Sequence, residues 1–346
     1  MTTISESQRE VPFKAVIGYD HVQNGEGDRF SNFRANEQYF EVKINEMFLS
    51  KSREWYKKYD PMVFAISEFN YGTELQIIPF IVGPNLIEKY GKKMDIPLGM
   101  IFSDTQVTGL YPYCGGPLSL TVILYGITRE NYAQDFLRMV ERMTGLFEFT
   151  NSLSIYTKIA NVVMDGFETI IGLKDTKALI GMRREFSPDS GDAFQPCYFV
   201  LIDTPEDEID INKLWVNRRQ LMYGPTIEDA YPFRDADFVL YSISQSIERT
   251  DLTRLPFYSL WQRVRKEAMV PRLDAWESAK SNMLALYQEI MTSPDLTKSH
   301  ASRLIDVYRT EMKQLNQEAI KTAELGGENE DPFGQIRSRS LDVLSL

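Results

Sequence analysis

Cysteine and histidine are scarce in this chain of 346 residues, which has two of each: Cys114 and Cys197, His21 and His300. Two cysteines cannot build a disulfide framework, and no Cys/His cluster has zinc-ligand spacing. A chain this long can bury a core without such staples. The expected compartment is therefore the reducing cytoplasm, and neither a metal nor a cofactor is expected. Also missing is an apolar run long enough to cross a bilayer, and the opening MTTISESQREVPF lacks the basic and apolar regions of a secretory signal. Positive charge is in deficit, 38 Lys and Arg against 49 Asp and Glu, for a net charge of −11. Neutralising phosphates takes clustered Lys and Arg, so neither direct nucleic-acid binding nor attachment to anionic lipid is expected. The adjacent arginine pairs, Arg183-Arg184 and Arg218-Arg219, each lie inside a strand-like run, where a solvated face is the simplest reading.

Catalytic signatures are absent too. The chain has no G-x-S-x-G elbow, no phosphate-binding G-x-x-x-x-G-K-[ST] loop, no H-E-x-x-H and no G-x-G-x-x-G. Cys114 sits in a Gly/Pro-rich turn where a backbone N–H could stabilise a thiolate, but a nucleophile needs a base, and His21 would have to reach it across the fold. An inert thiol is the preferred reading, and a hydrolase built on Cys114 the third-ranked one. Asp20, Glu26, Asp28, Asp104, Asp189 and Asp192 fall in loop-like stretches without the regular spacing of a calcium loop, so they read as turn residues.

What the sequence does hold is organised around residues 109–128, GLYPYCGGPLSLTVILYGIT. Pro112, Gly115, Gly116 and Pro117 make a turn. Leu118 to Ile127 is rich in β-branched and aromatic residues and is apolar on both faces from Val122 onward, as expected of an interior strand. Phe13–Tyr19 reads as a first strand. Tyr39–Leu49 alternates Phe40, Val42 and Ile44 with Glu41, Lys43 and Asn45, which predicts a strand with one wet face. Met62–Phe69 and Thr73–Val82, separated by Asn70-Tyr71-Gly72, predict a hairpin. The stretch from Ile96 to Val107 reads as an irregular or edge segment. Further strands are predicted at Ala178–Phe186, Pro196–Ile202, Lys213–Tyr223 and Phe238–Ile247, the first two joined as a hairpin.

Between these blocks the period changes from two to about 3.6. Arg129–Gly145 and Ser152–Gly172 predict two helices inserted after the central strand, the second with a wide apolar band for burial against the sheet. From Pro256 the chain reads as helical. Phe257–Lys266 predicts a short helix, and two longer ones are marked by Trp276 to Ile290 and Leu304 to Ala319. Ser293-Pro294 separates them, with Ser293 as N-cap and Pro294 at the first helical position. The expected fold is α+β: a mainly antiparallel β-sandwich over 13–255 with a helical insertion at 129–172, a C-terminal helical region with a helical hairpin over 256–323, and flexible ends at 1–12 and 324–346.

Two candidate sites follow. Tyr111, Tyr113, Cys114 and Gly115 lie on the organising turn and could line a small-ligand pocket, which makes a ligand sensor the second-ranked function. Trp276, Met283, Tyr287, Tyr308 and Met312 are large side chains of the kinds enriched at interfaces, on helices with narrow apolar stripes. They favour a non-enzymatic adaptor that holds a protein partner through its C-terminal helices and its tail, which ends in Leu341, Val343, Leu344 and Leu346. The sequence does not fix an oligomeric state.

Overall fold

The computed structural model describes residues 13–23, 32–50, 53–54, 57–72, 74–82, 99–101, 108–128, 176–187 and 194–326. The predicted helices within 129–172, the ends at 1–12 and 327–346, and the loop carboxylates other than Asp20 lie outside them. The fold is α+β, with three mostly antiparallel sheets and a C-terminal group of helices. The strands are β1 (Phe13–Ile17), β2 (Val22–Gln23), β3 (Tyr39–Phe48), β4 (Arg53–Glu54), β5 (Lys57–Tyr71), β6 (Glu74–Val82), β7 (Gly99–Ile101) and β8 (Tyr111–Pro112). They continue with β9 (Leu118–Thr128), β10 (Thr176–Phe186), β11 (Cys197–Ile202), β12 (Leu214–Asn217), β13 (Gln220–Tyr223), β14 (Tyr231–Pro232) and β15 (Phe238–Ser246). The helices are α1 (Tyr258–Ala268), α2 (Leu273–Thr292) and α3 (Lys298–Gly326). Among the described residues no helix is long and apolar enough to cross a membrane.

The chain forms two compact units. The first takes the described residues of Met1–Phe33, Phe40–Leu110 and Gly115–Gln245, and the second those of Arg34–Tyr39, Tyr111–Cys114 and Ser246–Leu346. In the first unit one sheet runs β1-β11-β15-β3-β7, a second β10-β9-β5-β4 with β6 paired to β5, and a third β14-β13-β12-β2. The organising strand β9 lies between β5 and β10, and Leu118 to Tyr125 are all buried, as a run greasy on both faces requires. The first two sheets pack face to face. Phe40 meets Phe69 edge-on at 4.8 Å and Phe186 meets Phe199 at 5.1 Å. The Tyr241 hydroxyl donates to Met182 Sδ at 3.7 Å. The predicted β5–β6 hairpin is present, closing at Tyr71 and Glu74 with Gly72 at φ 62°. Residues 99–101 pair with the end of β3 as the edge of their sheet.

Three expectations about strands are corrected in this unit, and with them the reading of Arg183 and Arg184. β10 and β11 do not form a hairpin: β10 pairs with β9, whereas β11 pairs with β1 and β15 in the other sheet. A turn-rich connection suits a change of sheet as well as a reversal. β3 has no wet face, because Glu41, Asn45 and Glu46 are all buried. Its polar residues find partners inside, with Lys43 Nζ 3.0 Å from Glu41 Oε2 and Asn45 Nδ2 donating to Ser242 Oγ at 2.9 Å, while Glu41 Oε1 is buried without a hydrogen bond. Finally, Lys213–Tyr223 is two strands, β12 and β13, turning at Arg218 (φ 50°) and Arg219 (φ 68°). A two-residue hairpin loop with both φ values positive matches the twist of its strands, so sheet geometry imposes a conformation that arginine does not favour. Arg183 lies within β10, 3.2 Å from the buried Glu68 carboxylate, and Arg184 stacks over Phe186 and Phe199. Neither is a merely solvated charge.

The second unit is built on three helices around one core. Trp261, Val264 and Ala268 of α1, Trp276, Ala279, Met283, Leu286 and Ile290 of α2, and Leu304, Ile305, Tyr308 and Met312 of α3 form a single buried cluster. Trp261 stacks on Tyr308 at 4.0 Å. Asn316 Nδ2 donates to Ala268 O and so ends α1 with a side chain from α3. The predicted hairpin is thus two members of a three-helix group. α3 runs to Gly326, beyond the expected boundary at 323. Its cap is not Ser293: α3 starts at Lys298, and Thr297 Oγ1 accepts the His300 N–H at 3.1 Å. Ser293 closes α2 instead, its N–H donating to Ile290 O.

Candidate functional site

Three separated stretches of the second unit, 34–39, 111–114 and 249–251, converge near the start of α3. Residues 111–114 and 34–39 are tied by Tyr113 N–H donating to Gln38 O at 2.9 Å and Asn36 N–H donating to Tyr113 O at 2.7 Å. Asn36 has φ 64°, a conformation that asparagine tolerates better than most residues. This places the Asn36 carbonyl to accept the Ser299 N–H at 3.2 Å, and the Tyr39 hydroxyl to accept the Thr297 N–H at 3.1 Å. The first turn of a helix has N–H groups without intrahelical partners. Here a distant stretch of chain supplies part of what they need.

Tyr39 also reaches His300 of that first turn, its oxygen 2.8 Å from Nδ1 and the two rings edge-on. With its oxygen accepting from Thr297, the hydroxyl satisfies all three atoms by donating to Nδ1. His300 is then the neutral tautomer with its proton on Nε2. Burial holds the His300 pKa below the ordinary histidine value, and Arg303 and Arg249 push it the same way against Glu248. Burial raises the Tyr39 phenol, opposed by its hydrogen bond from Thr297 and by the arginine charges. Arg249 sits with Cζ 5.9 Å from the Tyr39 ring. Its Nε and Nη2 grip both Asp251 oxygens at 2.7 and 2.8 Å, and Nη1 donates to Asp295 O at 2.7 Å. The hydrogen bonds from Arg249 hold the Asp251 carboxyl below its ordinary value. Tyr111, partly buried beside this network, is raised by burial and by the Asp295 charge.

The predicted ligand residues divide between the units. Tyr111, Tyr113 and Cys114 belong to this cluster, with Tyr113 buried. Gly115 belongs to the first unit, where it has φ 92° and its carbonyl accepts Asn70 Nδ2 at 3.2 Å. Cys114 is partly exposed and its thiol donates to Pro112 O at 3.7 Å, with no base bonded to it among the described residues. His21 stacks on Trp215 at 4.1 Å, and its Nδ1 lies 2.8 Å from Leu214 O. Both cysteines are free. Among the described residues no three His, Cys, Asp or Glu side chains gather as metal ligands.

The predicted partner-binding residues do not share one surface. Trp276, Met283, Tyr308 and Met312 are buried in the three-helix core, and of the five only Tyr287 is open, at 42%. What lies beside Tyr287 went unnoticed in the sequence. Leu284 (63% exposed) and Met291 (42%) stand one turn to either side of it on α2. These three form a second apolar row, about 100° around the helix from the core row at 276, 279, 283, 286 and 290. From Ser281 to Thr292 the exposed positions include a single charge, Glu289. Neither a family model, nor a curated protein, nor a solved structure matches the chain.

Proposed function

We propose that this protein is a non-enzymatic binding module of the cytoplasm, an adaptor that engages a protein partner through the exposed row Leu284, Tyr287 and Met291 on α2. The observation that carries this reading is the row itself. An apolar set at i, i+3 and i+7, on a helix whose other stripe fills a core, has the form of an amphipathic helix offered to a hydrophobic groove. Exposed apolar side chains set in a group mark interaction sites more than scattered ones do. The neighbouring exposed positions Ser281, Ala285 and Gln288 carry no charge that such a groove would have to desolvate. Two free cysteines fit the reducing compartment.

The test replaces Leu284→Glu and Met291→Glu together in the full chain and compares the proteins co-purifying from the native source with those of the unchanged chain. A partner lost by the variant, with an unaltered melting temperature, supports the reading. An identical set of co-purifying proteins rejects it.

A further inference from the structure

We propose that Tyr39 and His300 form a pH-operated latch on the N-terminal cap of α3, in which a proton taken up by His300 frees residues 34–39 from the first turn of the helix. The inference is independent of the α2 surface.

The Tyr39 oxygen is held between two partners, the Thr297 N–H at 3.1 Å and His300 Nδ1 at 2.8 Å. Its one proton serves Nδ1 only while that nitrogen carries a lone pair. When Nδ1 gains a proton it becomes a donor, the phenol oxygen faces two N–H groups, and the phenol's own proton loses its acceptor. His300 and Thr297 are both buried, so water does not replace that acceptor without local opening.

The surroundings amplify the change. His300 lies in the first turn of α3, where the backbone dipole disfavours a cation. Arg303, a turn further along α3, and Arg249, on the segment beside Tyr39, add positive charge, against Glu248. Arg249 already grips both Asp251 oxygens and lies 3.9 Å from the Asp295 carboxylate, so its own positive charge offsets both acids near the imidazole. The released stretch keeps the Ser299 N–H to Asn36 O bond to α3 and the Asn36 N–H to Tyr113 O and Tyr113 N–H to Gln38 O bonds to residues 111–114.

The full chain tests this with ring nitrogen-15 labelling of histidine and with hydrogen exchange read on peptides covering 297–301. The His21→Gln variant assigns the two imidazoles. At pH 7.5 His300 should show the neutral tautomer with the proton on Nε2, and it should titrate below the ordinary histidine range. Protection at Thr297 and Ser299, corrected for the intrinsic exchange rate, should be largely lost by pH 5, because the opened state takes up the His300 proton more readily than the closed one. His300→Asn keeps an acceptor near the Nδ1 position but cannot be protonated, and it should abolish that loss. Tyr39→Phe should move the His300 titration up toward the ordinary value, a readout that does not depend on the Asn variant folding. A proton on Nδ1 at pH 7.5, or the same loss of protection in His300→Asn, overturns the latch.

Discussion

Glu46 sits in an environment far from what its identity suggests. It lies on β3 on the same face as Phe40, Val42 and Ile44, is fully buried, and is met by Arg234 Nη2 at 2.6 Å and the Leu221 N–H at 2.7 Å. Burial pushes its carboxyl up to about 7 although both partners pull it down. Between the ordinary value of 4.5 and about 7 the native state keeps a proton that the unfolded chain has released. Stability therefore falls as pH rises through that window, by at most on the order of 3 kcal/mol. The urea midpoint should drop from pH 5 to pH 8 in the unchanged chain and drop less in Glu46→Gln; equal slopes would show that Glu46 ionises at its ordinary value. Arg218 and Arg219 give a second prediction at this scale. Asparagine and glycine accept positive φ at lower cost, so Arg218→Asn combined with Arg219→Gly should stabilise the hairpin by about 1 kcal/mol, read as a higher melting temperature. A lower melting temperature would mean that the arginine side chains hold the turn. Neither environment was legible in the sequence. The β3 alternation fixes which residues share a face but not what covers each face, and the Arg218-Arg219 turn hides inside a run whose flanks are both strand-like.

Elements followed local pattern wherever the pattern had one cause. The organising strand, the β5–β6 hairpin and the three C-terminal helices lie where periodicity and turn residues put them. Where two signals compete, the sequence alone chose wrongly. Ser293-Pro294 looks like a helix start, yet Thr297 caps α3, because the linker must first bring Leu296 into the core and Asp295 to Arg249. Thr297→Ala should therefore cost about 1 kcal/mol, and Ser293→Ala much less, when the two are compared by urea denaturation. Equal costs would return the cap to Ser293. α2 shows the same competition in another form. Its core row and its exposed row both contain large apolar residues, so size alone assigned Trp276 and Met283 to a partner. Burial assigns Leu284 and Met291 to the exposed row instead.

At the scale of the whole molecule, the helical unit does not begin where the helices begin. Residues 34–39 and 111–114 belong to it, and nothing local in those stretches announces α3 some two hundred residues further on. That is why the Tyr39, Thr297, His300 and Arg249 cluster was invisible in the sequence, although Tyr111, Tyr113 and Cys114 beside it were singled out. Residues 272–346 follow the last strand, so chain order alone predicts that removing them leaves a soluble folded remainder. The three-helix core argues otherwise. A chain ending at 271 keeps α1 with Trp261, Val264 and Ala268 stripped of their α2 and α3 partners, and it leaves Tyr39 without Thr297 and His300. Truncating one large core aromatic costs about 3–5 kcal/mol, and uncovering a whole helix face costs more. The 1–271 chain should expose apolar surface, bind a hydrophobic dye and aggregate. A chain ending at 245 removes α1 as well and should be the more soluble of the two. Its Tyr39 still loses Thr297 and His300, and Asn36 loses Ser299, so the 34–39 stretch and the 111–114 stretch tied to it should become protease-sensitive. Size-exclusion chromatography, dye binding and limited proteolysis of the two truncations decide the matter. A monomeric 1–271 chain that melts cooperatively and binds no dye would show that α1 does not depend on the other two helices for its core.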